Sequence, residues 1–118
     1  MSSLRMSRGD TFRIDIVVSD KNGVINLTGK SLIATFKNKV TDADNVAVVQ
    51  KKTSTGGIVI TSAVAGEATI TLLPGDTSTL PAVWTQLQWD IQLVDGASVY
   101  TVASGRLEVS PDVTISIT

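Results

Sequence analysis

Residues 89–114 read WDIQLVDGASVYTVASGRLEVSPDVT, and this stretch decides the fold. Trp89, Ile91 and Leu93 alternate with Asp90, Gln92 and Val94, the two-residue period of a strand with one buried face. Asp95-Gly96 supplies a tight turn, because glycine reaches positive φ without steric cost. Val99 to Ala103 returns as a second strand, and Gly105 breaks the run. Leu107 and Val109 then alternate with Glu108 and Ser110 as a third strand, until Pro111 stops it. Three successive strands joined by short turns predict an antiparallel, all-β architecture.

The same pattern extends toward the N-terminus. Phe12, Ile14, Ile16 and Val18 fall on one face of a strand over about Asp10 to Ser19, and Asp20-Lys21-Asn22-Gly23 turns the chain. A short segment, Val24 to Leu27, is closed by Thr28-Gly29. Leu32, Ala34 and Phe36 point inward from a strand over Ser31 to Lys37. Asn38 to Asn45 is a polar loop, Val46 to Lys51 is extended, and Thr53 to Gly57 is flexible punctuation. Ile58 to Thr61 and Glu67 to Leu73 are strands, the second with Ala68, Ile70 and Leu72 on one side. Asp76 to Leu80 suits one helical turn with Asp76 as its N-cap. A long strand over Trp84 to Val94 leads into the opening stretch, and residues 113–118 alternate to the last position. No segment sustains a helical period, and there is no internal repeat. About seven to nine short strands with regularly spaced turns predict an immunoglobulin-like antiparallel β-sandwich, with Trp89 packed between its sheets. Residues 1–8, polar and basic, read as an N-terminal arm, and 9–118 as a single sandwich domain.

Composition narrows the chemistry. At 118 residues, one domain is long enough to bury a core without a metal or disulfide staple. There is no Cys, which excludes disulfides, thiolate zinc sites and thiol nucleophiles. There is no His, which removes the commonest general base and metal ligand. A net charge of −1 carries no basic stripe for nucleic acid. No apolar run approaches the ~18 residues of a membrane span, and MSSLRMSRGD has no apolar core for a secretory signal. The expectation is a protein that is not an enzyme, needs no cofactor, and contacts neither nucleic acid nor membrane.

Several short patterns invite a functional reading. Arg8-Gly9-Asp10 spells an adhesion tripeptide, but three residues before a strand read better as a turn. Asp42, Asp44 and Asn45 begin like a calcium loop, yet the sixth and twelfth places hold Ala47 and Thr53 instead of Gly and Glu. Asp90 and Glu108 are out of phase with inward Trp89 and Leu107, so they face solvent and make a poor acid/base pair. Lys37, Lys39, Lys51 and Lys52 read as protection of strand edges. Trp84, at an odd offset from Trp89, points outward or sits in the loop; with Tyr100 it is a candidate contact surface or sugar-stacking platform, the alternative being that it lids the open end of the sandwich. Arg5 and Arg8 in the arm, and Ile115 and Ile117 in the alternating C-terminal segment, are candidates for strand exchange with a neighbour; the alternative is that each terminal segment is an edge strand of the chain's own sandwich.

The order RGDTFRIDIVVSDKNGVINLTGKSLIATFK (8–37), GEATITLLPGDTSTLPA (66–82) and the opening stretch resembles a family of small tailed-phage proteins. It is similar to the N-terminal domain of phage upper baseplate proteins. The likeness lies in the Arg8–Phe12 entry, Leu27-Thr28-Gly29 after the first hairpin, Asp76 to Pro81, Trp89 to Leu93, and Val99 to Thr114. Asn26 stands where the family often has Asp. The resemblance implies an immunoglobulin-like sandwich in a virion assembled in the bacterial host cytoplasm. Its partners would be other virion proteins and copies of itself. Because the sequence stops just after the domain, a stand-alone baseplate, cement or capsid-decoration role is expected beside the anchoring role. The alternative expectation is a host-surface carbohydrate-binding or adhesin module.

Overall fold

The computed structural model describes residues 2–39, 47–78, 80 and 83–111. In chain order the elements are β1 (Ser2–Ser7), β2 (Phe12–Val17), β3 (Ser19–Asp20), β4 (Gly23–Val24), β5 (Ser31–Lys37) and β6 (Val49–Lys52). There follow β7 (Ile58–Ser62), β8 (Glu67–Leu72), α1 (Pro74–Thr77), β9 (Thr85–Asp95) and β10 (Ser98–Ser110). They form a five-stranded sheet in the order β1-β10-β9-β5-β6, a three-stranded sheet β2-β8-β7, and a two-residue ribbon β3-β4. The two larger sheets pack into a sandwich-like, almost entirely β arrangement, as the alternation predicted.

Side chains from both sheets make one core. The larger sheet supplies Leu32, Ala34 and Phe36 from β5, Leu87, Trp89, Ile91 and Leu93 from β9, and Leu107 and Val109 from β10. The smaller sheet answers with Ile14, Ile58, Ala68, Ile70 and Leu72. All of these sit at alternate positions of their strands, because successive side chains leave a pleated strand on opposite faces. β9 is the central strand. Its register sets Phe36, Trp89 and Gly105 in one row across three strands, with Ala34, Ile91 and Ala103 in the next.

Five expectations are corrected. Gly105 does not break a strand. It lies buried inside the continuous β10, paired with Trp89 on one side and Ser2 on the other. Pairing on both sides satisfies the backbone there, and a residue without a side chain leaves room beside the indole. The opening stretch is therefore two long strands. The register shift between Thr101 and Ala103 makes Val102 an extra residue, a bulge that the alternation alone does not reveal.

Residues 2–7 are no free arm. They form β1, which runs parallel to β10 with Ser2 opposite Gly105 and Ser7 opposite Ser110, and Met6 is in the core. The sheet is thus mixed. A parallel pair needs a long crossover, and here the rest of the chain provides it. Helix α1 begins at Pro74, not Asp76; Asp76 occupies its third position and its Oδ2 accepts the Leu73 N–H at 2.6 Å. Proline at the first turn suits this start, since its missing N–H would be unpaired anyway. Finally, Val24 alone of residues 24–27 is strand, and Trp84 lies just before β9.

Two measurements test this packing. Met6→Ala is expected to lower the free energy of unfolding by about 2–5 kcal/mol in urea titration, whereas a residue on a free arm would change nothing. The Trp89 Nε1–H is buried with no hydrogen-bond partner. Trp89→Ala should cost about 3–5 kcal/mol. Trp89→Phe should cost far less, because it also removes a stranded donor worth about 1–3 kcal/mol.

Candidate functional site

The Arg8–Asp10 corner carries chain from the larger sheet to the smaller one. Asp10 N–H donates to the Ser7 carbonyl at 3.1 Å, and Gly9 has a φ of 79°, so the tripeptide is a tight turn. Its side chain and backbone are engaged internally. Arg8 Nε donates to the Leu80 carbonyl at 2.7 Å, and Arg8 Nη2 to the Ser78 carbonyl at 2.6 Å. The Gly9 N–H donates to Thr77 Oγ1 at 2.8 Å, and Thr77 is completely buried. The guanidinium thus holds carbonyls at the end of α1, while the threonine hydroxyl holds the corner's amide. An adhesive Arg-Gly-Asp presents its charges on a projecting loop; here the Arg is a clamp across the fold.

Sequence reasoning missed what two residues of this region do. Thr77 is the buried acceptor just described; among the three successive hydroxyls Thr77-Ser78-Thr79, nothing in the sequence singles it out. Lys51, read as edge protection, makes an ion pair with Asp76 at 2.9 Å, and both side chains are largely buried. Asp76 therefore binds Lys51 and the Leu73 amide through the same oxygen, tying β6 of one sheet to the helical turn that follows β8 of the other. A methyl group on Gly57 would run into the Lys51 side chain, and φ there is 90°, so this place requires glycine.

The outer face of the five-stranded sheet carries a hollow of about 550 Å³. Its register builds rows of mainly polar side chains across four strands. One row is Gln50, Thr35, Asp90 and Ser104; the next is Lys52, Ile33, Gln92 and Thr101. Gln50 Nε2 donates to Thr35 Oγ1 at 3.2 Å. Asp90 and Glu108 share this face but do not meet. Asp90 stands opposite Ser104, four residues and about 13 Å from Glu108 along β10. Glu108 instead lies beside Arg5, its register partner, at 3.0 Å. Among the described residues no group of three or more acidic, His or Cys side chains is gathered for a metal. Asp42, Asp44 and Asn45 lie outside them.

The two candidate contact aromatics are separated. Trp84 is 66% exposed beside exposed Val83, at the end of the sandwich that carries α1 and the Arg8 corner. Tyr100 is 55% exposed near the β9–β10 turn, in register with Leu93. Nine residues of strand separate Leu93 from Trp84, roughly 30 Å, so the aromatics serve two surfaces and not one. Arg5 and Arg8 both have partners within the chain. Ile115 and Ile117 lie outside the described residues.

No known protein-family model matches the chain, and a search of curated proteins also found no match.

The clamp yields a direct test. Arg8→Ala should lose about 1.5–3 kcal/mol of stability, the usual worth of hydrogen bonds to a charged group. Thr77→Val should lose about 1–3 kcal/mol by stranding the Gly9 amide. Thermal unfolding monitored by circular dichroism measures both, and a surface tripeptide made for adhesion would leave the midpoint unmoved.

Proposed function

We propose that this chain is a non-enzymatic structural component of a tailed-bacteriophage virion, an immunoglobulin-like module acting through protein–protein contacts. The observation that carries this reading is the physical union of the two stretches that resemble the baseplate family. RGDTF and DTSTLP lie nearly seventy residues apart, yet Arg8 and Gly9 of the first bind Ser78, Leu80 and Thr77 of the second. The two motifs are halves of one lock, which gives the resemblance a structural meaning beyond scattered turn residues. The lock also braces the end of the sandwich where Val83 and Trp84 stand exposed. An exposed Trp on a rigid base is the kind of anchor that a partner surface buries. In a particle, many such weak contacts on a symmetric lattice become effectively permanent.

A second reading is carried by the hollowed polar face. Its amides and hydroxyls offer hydrogen bonds to a sugar, although none of the outward side chains in its two rows is aromatic. Binding of wild-type protein on a glycan array, lost in a Gln92→Ala variant, would favour this reading.

Mass spectrometry of purified mature particles tests the first reading. The chain is expected in the particle, and Trp84→Ala should lower its incorporation without changing the thermal unfolding midpoint. Absence of the chain from mature particles ends the proposal.

A further inference from the structure

β10 is thirteen residues long, but β1 pairs only with Gly105–Ser110. The preceding residues 98–104, SVYTVAS, pair with β9 on one side, and no strand among the described residues pairs with the other. That open side offers backbone donors and acceptors on which a further strand can add. The remaining open edges carry the charges that discourage such addition: Arg5 on β1, Arg13 and Asp15 on β2, Lys51 and Lys52 on β6. β7 is uncharged, but it is shorter, its pairing is irregular after Ile60, and the Gly57 that precedes it is bridged to Lys52. Segment 98–104 has no charge, proline or glycine, and Val99 and Tyr100 are 54% and 55% exposed on it.

We infer that this edge is a homotypic docking site, on which segment 98–104 of one copy pairs antiparallel with the same segment of a second copy. The inference deepens the assembly reading by naming the neighbour. Two-fold pairing sets a surface against itself, so a charge at the axis would face its own copy; SVYTVAS has none. Val99 and Tyr100 point to opposite faces, in register with Val94 and Leu93. Each face of the joined sheet therefore gains an apolar contact beside the axis, and two five-stranded sheets become one of ten strands. The bulge at Val102 increases the twist of this edge and restricts regular pairing to its first residues. The contact is small beside the ~1,600 Å² of a standard interface, so it is weak in isolation and gains strength in an array.

Sedimentation velocity over a wide concentration range tests the inference. The average mass of the wild type is expected to rise from 12.4 kDa toward 24.8 kDa (2 × 12.4) as concentration increases. The double variant Val99→Lys, Tyr100→Lys should remain at 12.4 kDa with an unchanged circular dichroism spectrum and unfolding midpoint. Val59→Lys, on the β7 edge, should behave as the wild type. In hydrogen exchange, amides of residues 98–104 should slow with concentration in the wild type alone. A single mass of 12.4 kDa at every concentration overturns the inference. So does a dimer that survives the double variant, or one that Val59→Lys dissolves. A monomeric chain that is nonetheless found in particles refutes this pairing and leaves the assembly reading standing; a dimer absent from particles does the reverse.

Discussion

The row Phe36–Trp89–Gly105 is the constraint on which the rest of the structure depends. It fixes the register of the three central strands of the larger sheet. A slip of one residue would turn every inward side chain of a strand to the outside, so the register that sets buried Phe36 and Trp89 side by side also keeps the apolar face of each strand in the core. The same choice leaves Gln50, Thr35, Asp90 and Ser104 aligned on the opposite face. The polar surface is a consequence of the core packing and needs no separate cause.

The two ends of the sandwich are organised differently. At one end, the Arg8 clamp, the buried Thr77 hydroxyl and the Lys51–Asp76 pair join the sheets through polar contacts. Charged groups this enclosed are tolerated because each has a partner of opposite charge or a carbonyl to bind. At the other end, by the β9–β10 turn, Val99 and Tyr100 are exposed. A braced end suits a fixed geometry of contact, and an open strand edge suits addition of backbone. The molecule has one of each.

The inner faces were legible in the sequence, because a two-residue period survives any topology. Leu32, Ala34 and Phe36, then Ala68, Ile70 and Leu72, then Trp89, Ile91 and Leu93 are all inward as expected. β1 was harder to read, although Leu4 and Met6 alternate with Arg5. Its partner lies about a hundred residues away, and no local signal specifies a parallel neighbour. The Val102 bulge was hidden for a related reason: an inserted residue shifts the phase midway through a strand that still looks regular in composition. At the candidate surfaces, exposure of Trp84 followed from its offset to Trp89. The clamp role of Arg8 did not, since a basic residue beside a polar N-terminus gives no sign of carbonyls waiting across the fold.

The parallel pairing of β1 with β10 has a mechanical meaning. The chain enters this pair at Ser2 and leaves it at Ser110, at opposite ends of the two strands. Tension applied along the polypeptide therefore pulls the strands lengthwise past each other, loading all the rungs between them at once. A hairpin pulled from its open end would instead unzip rung by rung. The pair that closes this fold is oriented to resist stretching.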